Sequence, residues 1–497
     1  MQPYRILERR FARLSAVKDA IRILGWDKET MMPLGAAEGR SEQLASLEVI
    51  AHELLTSAEI GDLLGRAEQG PGELEEWQRA NLREMRRIYS HATAVPAELV
   101  EAHSRAVSRC EVAWRRAREE SDFPGLLPLL SEVLVREREV AQAKGDALSL
   151  SPYDALLDSF DPGARQADID PLFAALKTDL PELIGEALEH QRRREPPPAM
   201  QGPFAAEIQR GICQRLLSVV GFDTQRGRLD VSTHPFCGGA IDDVRMTTRY
   251  DEGDFSSALM AVLHESGHAL YEQGRPRDWL PQPVSRSRGM SMHESQSLLI
   301  EMQACRTRDF AEYLAPLVRE AFGAGGKPWD ADALVRHFTR VRPGFIRVDA
   351  DEITYPAHII LRYELEKALI SGEMTLGDLP AAFNAGIREL LGLNVPEDRL
   401  GCLQDIHWPG GAWGYFPTYT LGAMIAAQLF EAACRAEPDI LPSIAHGEFG
   451  PLLAWLRTHV HRVGSSLQTG EILTRATGHP LDAGIYRHHL RSRYLDS

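Results

Sequence analysis

The chain is poor in cysteine, and its cysteines form no pattern. Six occur in 497 residues: Cys110, Cys213, Cys237, Cys305, Cys402 and Cys434, widely spaced and with no C-x-x-C pair. That spacing argues against a disulfide framework and against a zinc ribbon. No apolar run approaches the ~18 residues a spanning helix needs, so no membrane association is expected. Positive charge is also in deficit, with 55 Lys and Arg against 71 Asp and Glu and a formal net charge of −16. An acidic protein repels phosphate backbones, so nucleic acid is not expected as a partner. The one short basic run, Arg192-Arg193-Arg194, reads as a solvated helix end. The opening residues Met1 to Arg10 contain no apolar stretch of the secretory kind. With the cysteine pattern, this leads to the expectation of a cytoplasmic protein. No internal repeat and no low-complexity tract stands out.

What is present reads mostly as helix. Hydrophobic residues at 44% and charged residues at 25% suit a globular chain long enough to bury a core without staples. Tyr4, Leu7, Phe11, Leu14, Val17, Ile21 and Leu24 recur at spacings of three and four, one apolar stripe on a long helix. Similar stripes run through 73–147 and 166–194. Length alone suggests about three domains. The pattern reads instead as one mainly α body over 1–497, with a possible subdivision at Glu195–Pro203, where Pro196, Pro197 and Pro198 cannot continue a helix. One stretch differs. Residues 228–232 and 244–250 are rich in strand formers, with Gly238 and Gly239 between them, and predict a small antiparallel sheet.

Immediately after that sheet stands His264-Glu265-Ser266-Gly267-His268. On a helix, positions i and i+4 lie about 40° apart around the axis and about 6 Å apart along it. Two imidazoles on one face can therefore share a Zn²⁺, with Glu265 placed beside a water as general base. The residue counts give a chance expectation of about 0.08 such matches per chain, so the motif alone is moderate evidence. Context adds to it: Asp254 can cap the helix, Gly274 can end it, and Ala258–Leu263 lead into it with apolar residues. Gly267 in mid-helix costs about 1 kcal/mol relative to Ala, which a close approach of another backbone or a substrate would explain. Catalytic zinc takes a third protein ligand and keeps an open position. Glu294, on a second helical segment, is the candidate for that ligand. Glu301, one to two turns further on, is the rival.

Together, His264–His268 and His293-Glu294-Ser295-Gln296 resemble the M32 metallocarboxypeptidases, the carboxypeptidase Taq type. Four further signatures stand in family order. They are His234-Pro235-Phe236 (HPF), Asp243–Thr247 (DxRxT), Ile346–Asp351 (IRxxAD) and Gly401–Trp408 (GxxQDxHW), so the catalytic motifs and the loop after them occupy 234–419. Trp26-Asp27 and Met32-Pro33 also resemble the family. The resemblance implies a gluzincin-like helical zinc peptidase with a deep active-site groove, usually a homodimer. It implies removal of C-terminal residues from peptides with broad specificity, and one zinc per chain with cobalt as a possible replacement. A zinc oligopeptidase cutting internally shares the same metal motif. A catalytically silent helical scaffold is the alternative of another class.

The remaining candidates face the substrate. Arg347 and Arg245 each offer a planar fork that fits a carboxylate. A structural ion pair with Asp349, Asp351 or Asp243 is the plain alternative. His407 can donate to a substrate carboxylate or to a developing oxyanion, or stand as a buried histidine beside Trp408. Tyr415 and Tyr419, in an aromatic and glycine-rich stretch, can hydrogen-bond an oxyanion or simply pack. His234 is a candidate only through the resemblance.

Overall fold

A computed structural model of the chain describes residues 2–70, 74–197, 199–323 and 329–496. The first apolar stripe forms one helix, Gln2–Thr30, but only part of it is core. Tyr4, Leu7, Phe11 and Leu14 are buried with Ile60, Leu63, Leu64, Leu82 and Met85. Full burial of each such side chain stabilises by roughly 1.5–3 kcal/mol. Val17, Ile21 and Leu24 are only half-buried; Val17 and Ile21 pack against the edge of that core. Asn81 ties the helix to the rest of the chain, donating to the Tyr4 hydroxyl and to Gln282 Oε1 at 3.1 Å each.

The predicted stripes over 73–147 and 166–194 appear as helices Glu76–Thr93, Ala97–Glu120, Phe123–Leu148 and Gln166–Arg192. Two large cores follow. One gathers the helices Phe123–Leu148, Gln166–Arg192, Tyr355–Ser371 and Leu379–Leu391. The other surrounds the helices Phe255–Gly274 and Arg308–Phe322. A single helix, Pro417–Ala436, joins them: its Leu421, Met424 and Ala427 belong to the first core, its Ile425, Ala426 and Leu429 to the second. Of the proline-rich break, Pro198 lies outside the described residues. The chain is held firmly on both sides of the break. Gln191 bonds both the carbonyl and the amide of Val341, and the Phe204 amide donates to Glu252 at 2.9 Å.

The small sheet differs from its expectation. It has three strands, β1 (Gly227–Val231), β2 (Cys237–Ala240) and β3 (Asp243–Thr248), in the order β1-β3-β2. β2 and β3 are antiparallel, but β1 and β3 are parallel, so the sheet is mixed. The reason is that Gly238 and Gly239 are not a turn between two strands; they are themselves a strand. A Cβ on Gly239 would stand 2.1 Å from the Asp243 carbonyl, so only glycine allows this pairing. The reversal falls at Ile241-Asp242, with Asp242 at φ 57°. Trp26 of the first helix meets this sheet, with the guanidinium groups of Arg228 and Arg245 both over its ring. Among the described residues, no helix is long and apolar enough to cross a membrane.

Candidate metal centre

The helix Phe255–Gly274 begins where Asp254 accepts from the Ser256 amide at 2.9 Å, one of the four donors a helix start leaves unmet. It carries His264, Glu265 and His268. The helix Gly289–Leu298 crosses it and carries Glu294. The crossing is made by backbone. A Cβ on Gly267 would lie 2.2 Å from the Gln296 carbonyl and 2.6 Å from Ser297 Cα, so the mid-helix glycine marks the expected close approach of another backbone. A third helix closes from the other side. A Cβ on Gly422, in Pro417–Ala436, would stand 2.8 Å from the Glu294 side chain.

This packing brings one ligand atom from each of His264, His268 and Glu294 within 4.8 Å of one another. Glu294 Oε2 lies 3.4 Å from His268 Nε2 and 3.8 Å from His264 Nε2. The other ring nitrogens are engaged behind the cluster. His268 Nδ1 donates to the His293 carbonyl at 3.1 Å, and His264 Nδ1 donates to Glu301 Oε2 at 3.0 Å. With Nδ1 carrying the proton, each Nε2 turns a lone pair toward the cluster. Two imidazole nitrogens and a carboxylate oxygen are the donor set of a catalytic zinc site, so the residues fit that ion.

Glu301, the rival third ligand, stands behind His264. It lies on a π-helical turn, Leu299–Ala304, and its other oxygen meets Arg306 at 2.7 Å. The freed carbonyls of Met302 and Gln303 are taken up by Arg493 from the last helix, Ala483–Tyr494. A second chain of contacts supports His268. His293 stacks on it at 4.5 Å and meets Glu272 Oε1 at 3.1 Å.

The electrostatics of the cluster call for a cation. Burial opposes charge on Glu294, but His264 and His268 outweigh it and hold the carboxyl at about 2. Burial would strip the proton from His264, yet Glu294, Glu301 and Glu265 together push it up to about 10. Burial, aided by His293, drives His268 down to about 4. Without a metal, the His264 imidazolium balances part of the charge of Glu294 and Glu301, and a metal ion would displace its proton. Glu265 is 7% exposed and, chiefly through burial, is raised to about 7.

Four of the six substrate-side candidates form one cluster. His407 Nε2 and the Tyr419 hydroxyl are 3.2 Å apart, the Tyr415 and Tyr419 rings 5.3 Å apart, and the Arg347 guanidinium lies 5.0 Å over Tyr419. The charge of Glu294 reaches both phenols, and burial raises the two hydroxyls, Tyr419 to about 12. Arg347 pairs with Asp405, from the GxxQDxHW segment, and not with Asp349 or Asp351. Asp405 also holds Arg362 at 2.6 Å. The third Arg347 nitrogen, Nη1, donates to the Tyr355 hydroxyl at 2.9 Å. Burial pushes His407 down to about 4, so it stands neutral.

The other two candidates make their contacts elsewhere among the described residues. Arg245 closes its fork on Asp243 and lies over Trp26. The His234 ring is exposed, and its carbonyl accepts from Ser232. Sequence reasoning missed Tyr355, Asp405 and Gly422. Asp405 stood inside a quoted motif, and its charge opposite two arginines was the available signal. Tyr355 and Gly422 offered none.

Residues 6–494 match the family described as carboxypeptidase Taq (M32) metallopeptidase. The chain is 38% identical over 484 residues to thermostable carboxypeptidase 1 of Thermus thermophilus, covering 95% of this chain and 94% of that one. Metallocarboxypeptidase 1 of Trypanosoma cruzi superposes with a TM-score of 0.98 at 40% identity, over 100% of both chains. The M32 carboxypeptidase of Deinococcus radiodurans gives 0.94 at 34% identity, over 100% of this chain and 99% of that one. A likeness of this extent, in a chain whose own residues assemble a His-His-Glu cluster, makes it a metallocarboxypeptidase of the M32 family.

Proposed function

We propose that this metallocarboxypeptidase is zinc-dependent and removes single C-terminal residues from peptides with broad specificity. His264, His268 and Glu294 would hold one zinc, or cobalt in its place. The observation that carries the reading is the convergence of their three ligand atoms beside the buried Glu265 carboxyl. When bound, such an ion polarises a carbonyl and acidifies water. Glu265 takes the proton from the attacking water and later delivers it to the leaving amine, and its raised pKa suits both duties near neutral pH. Tyr415, Tyr419 or neutral His407 donates a hydrogen bond to the developing oxyanion. Arg347, oriented by Asp405, binds the substrate's terminal carboxylate, because an anion buried at the end of a groove needs a cation. Arg245 and His234 would act further out on the substrate.

We read the chain as one domain that acts as a homodimer in the cytoplasm, where its six free cysteines suit a reducing compartment. The test is mass spectrometry of a free peptide and its C-terminally amidated twin after incubation with the zinc-loaded protein. Stepwise shortening of the free peptide alone supports the reading. Internal cleavage of both peptides would replace it with an oligopeptidase. Glu265→Gln should keep its zinc and lose about 10²–10⁴-fold in kcat; retention of more than about a tenth of the activity would remove Glu265 as the base.

A further inference from the structure

Beyond the last turn of the His264 helix, at Gly274, lies a second concavity of about 620 Å³. Five arginines line it: Arg226, Arg275, Arg277, Arg457 and Arg462. Three have a carboxylate at hand. Arg275 meets Glu272 at 2.8 Å, Arg277 meets Asp242 at 2.9 Å, and Arg226 meets Asp223 at 3.2 Å. Arg457 and Arg462 form no ion pair among the described residues, and Arg457 Nε is buried with no hydrogen-bond partner. Burial, followed by the charges of Arg462 and Arg226, pushes the Arg457 guanidinium below its ordinary range; Asp223 opposes this only in part.

Arg457 is half-buried and Arg462 exposed, and the end of the helix Gly450–His459 beside them supplies about half a negative charge. One wall is flat and apolar on its faces: Trp77 stacks on Trp279 with centroids 5.7 Å apart and 17° between the planes. Asp278 stands exposed at the rim.

We propose that this concavity binds a phosphate-bearing small molecule, with Arg457 and Arg462 as its anion clamp. Two neighbouring forks match an oxyanion of two charges and several oxygens better than a single carboxylate. The volume falls within the usual range for small-molecule pockets and exceeds what inorganic phosphate fills. The indole pair offers a face for a ring, so an organic phosphate of about nucleotide-monophosphate size fits the site. The site is separate from the metal cluster and takes part in no step of peptide hydrolysis.

The test is calorimetric titration of the zinc-loaded full chain with pyrophosphate, AMP and citrate at fixed ionic strength. Pyrophosphate and AMP should bind, and citrate should bind more weakly. The double variant Arg457→Gln, Arg462→Gln should bind pyrophosphate at least about tenfold more weakly, since each charged hydrogen bond lost is worth that much or more. Its peptide hydrolysis without added anion should be unchanged. Its ligand-free melting temperature should not fall, because the substitution removes a repulsion. If that variant does not fold, Arg457→Lys, Arg462→Lys keeps the charges while losing the forks, and should still weaken binding. No binding at millimolar concentrations would overturn the proposal. So would equal affinity of parent and variant, which would put the anion elsewhere, or citrate binding as tightly as AMP.

Discussion

Gly267→Ala tests whether the metal cluster is set by backbone contact between two helices. Two effects compete. Alanine in mid-helix is favoured over glycine by about 1 kcal/mol, which would raise stability. Against this, the new Cβ would sit 2.2 Å from the Gln296 carbonyl oxygen, 2.6 Å from Ser297 Cα and 2.7 Å from the Gln296 carbonyl carbon. All three are backbone atoms, so no side chain can turn aside. Relief requires the two helices to part by about 1 Å, and overpacking of this kind typically costs about 1–3 kcal/mol. The net expectation is a loss of up to about 2 kcal/mol in stability.

The larger effect falls on the metal. Glu294 lies two residues before Gln296 on the helix that must move, and ligand distances tolerate only about 0.2 Å. Zinc affinity should therefore fall more than stability does. The assay is thermal unfolding alongside competitive chelator titration. Gly211→Ala serves as the control, since nothing lies within 4 Å of its added Cβ in the helix Ala206–Val219. That variant should gain stability and bind zinc normally. A stabilised Gly267→Ala that binds zinc like the parent would refute the reasoning.

Other predictions follow from the same geometry. Glu294→Ala should lose its zinc on dialysis, whereas Glu301→Ala should retain a site weakened by about 10–100-fold, the usual effect of removing a partner of a ligating histidine; metal analysis after chelator titration separates them, and the reverse ranking would exchange their roles. Arg347→Ala should lose about 10–150-fold in kcat/KM on free peptides, from a charged hydrogen bond worth roughly 1.5–3 kcal/mol, with little change on amidated ones. Equal losses on both peptides would make the Arg347–Asp405 pair purely structural. Burial raises the Glu366 carboxyl from 4.5 to about 7, although Tyr153, Trp408 and Gly414 all donate to it. The folded state then holds a proton that the unfolded chain has released, so this group contributes stability below pH 4.5 that is lost as pH rises to about 7. The shift amounts to roughly 3 kcal/mol. Denaturant unfolding across that window should show a pH slope smaller in Glu366→Gln than in the parent by this amount; parallel profiles would contradict it.

What the sequence revealed was what short-range geometry determines. His264, Glu265 and His268 are legible because four residues span one helical turn, and Asp254 announces the helix start. Glu294 was legible through its motif. Its rivalry with Glu301 could not be settled by spacing, because spacing assumes an α-helix and Glu301 lies on a π turn. The strand Cys237–Ala240 was invisible because Cys-Gly-Gly-Ala has no strand preference, and without it the sheet read as a simple hairpin. Arg347 was singled out, but its partner Asp405 lies 58 residues away, and which acid it chooses depends on tertiary packing. The half-burial of Val17, Ile21 and Leu24 carries the same lesson: periodicity gives the face of a helix, not how deeply each residue on that face is buried.

The π turn at Leu299–Ala304 can also be regarded as one surplus residue in an otherwise regular helix. The amide of Cys305 reaches back five positions, to the Ile300 carbonyl. Deleting Ile300 would let the segment wind as ordinary α-helix, with better hydrogen bonds and no bulge. The residues beyond the turn would keep their places, because the bulge is what absorbs the extra residue, while those inside it would rewind. Glu301, inside the turn, would be re-aimed away from His264, while Arg306, beyond it, would stay. The local helix would become more regular just as the imidazole lost the partner that fixes its proton. A gene length that a sequence comparison would score as a trivial gap is thus part of the metal site, which depends on where residue 301 falls in the winding as much as on its being a glutamate.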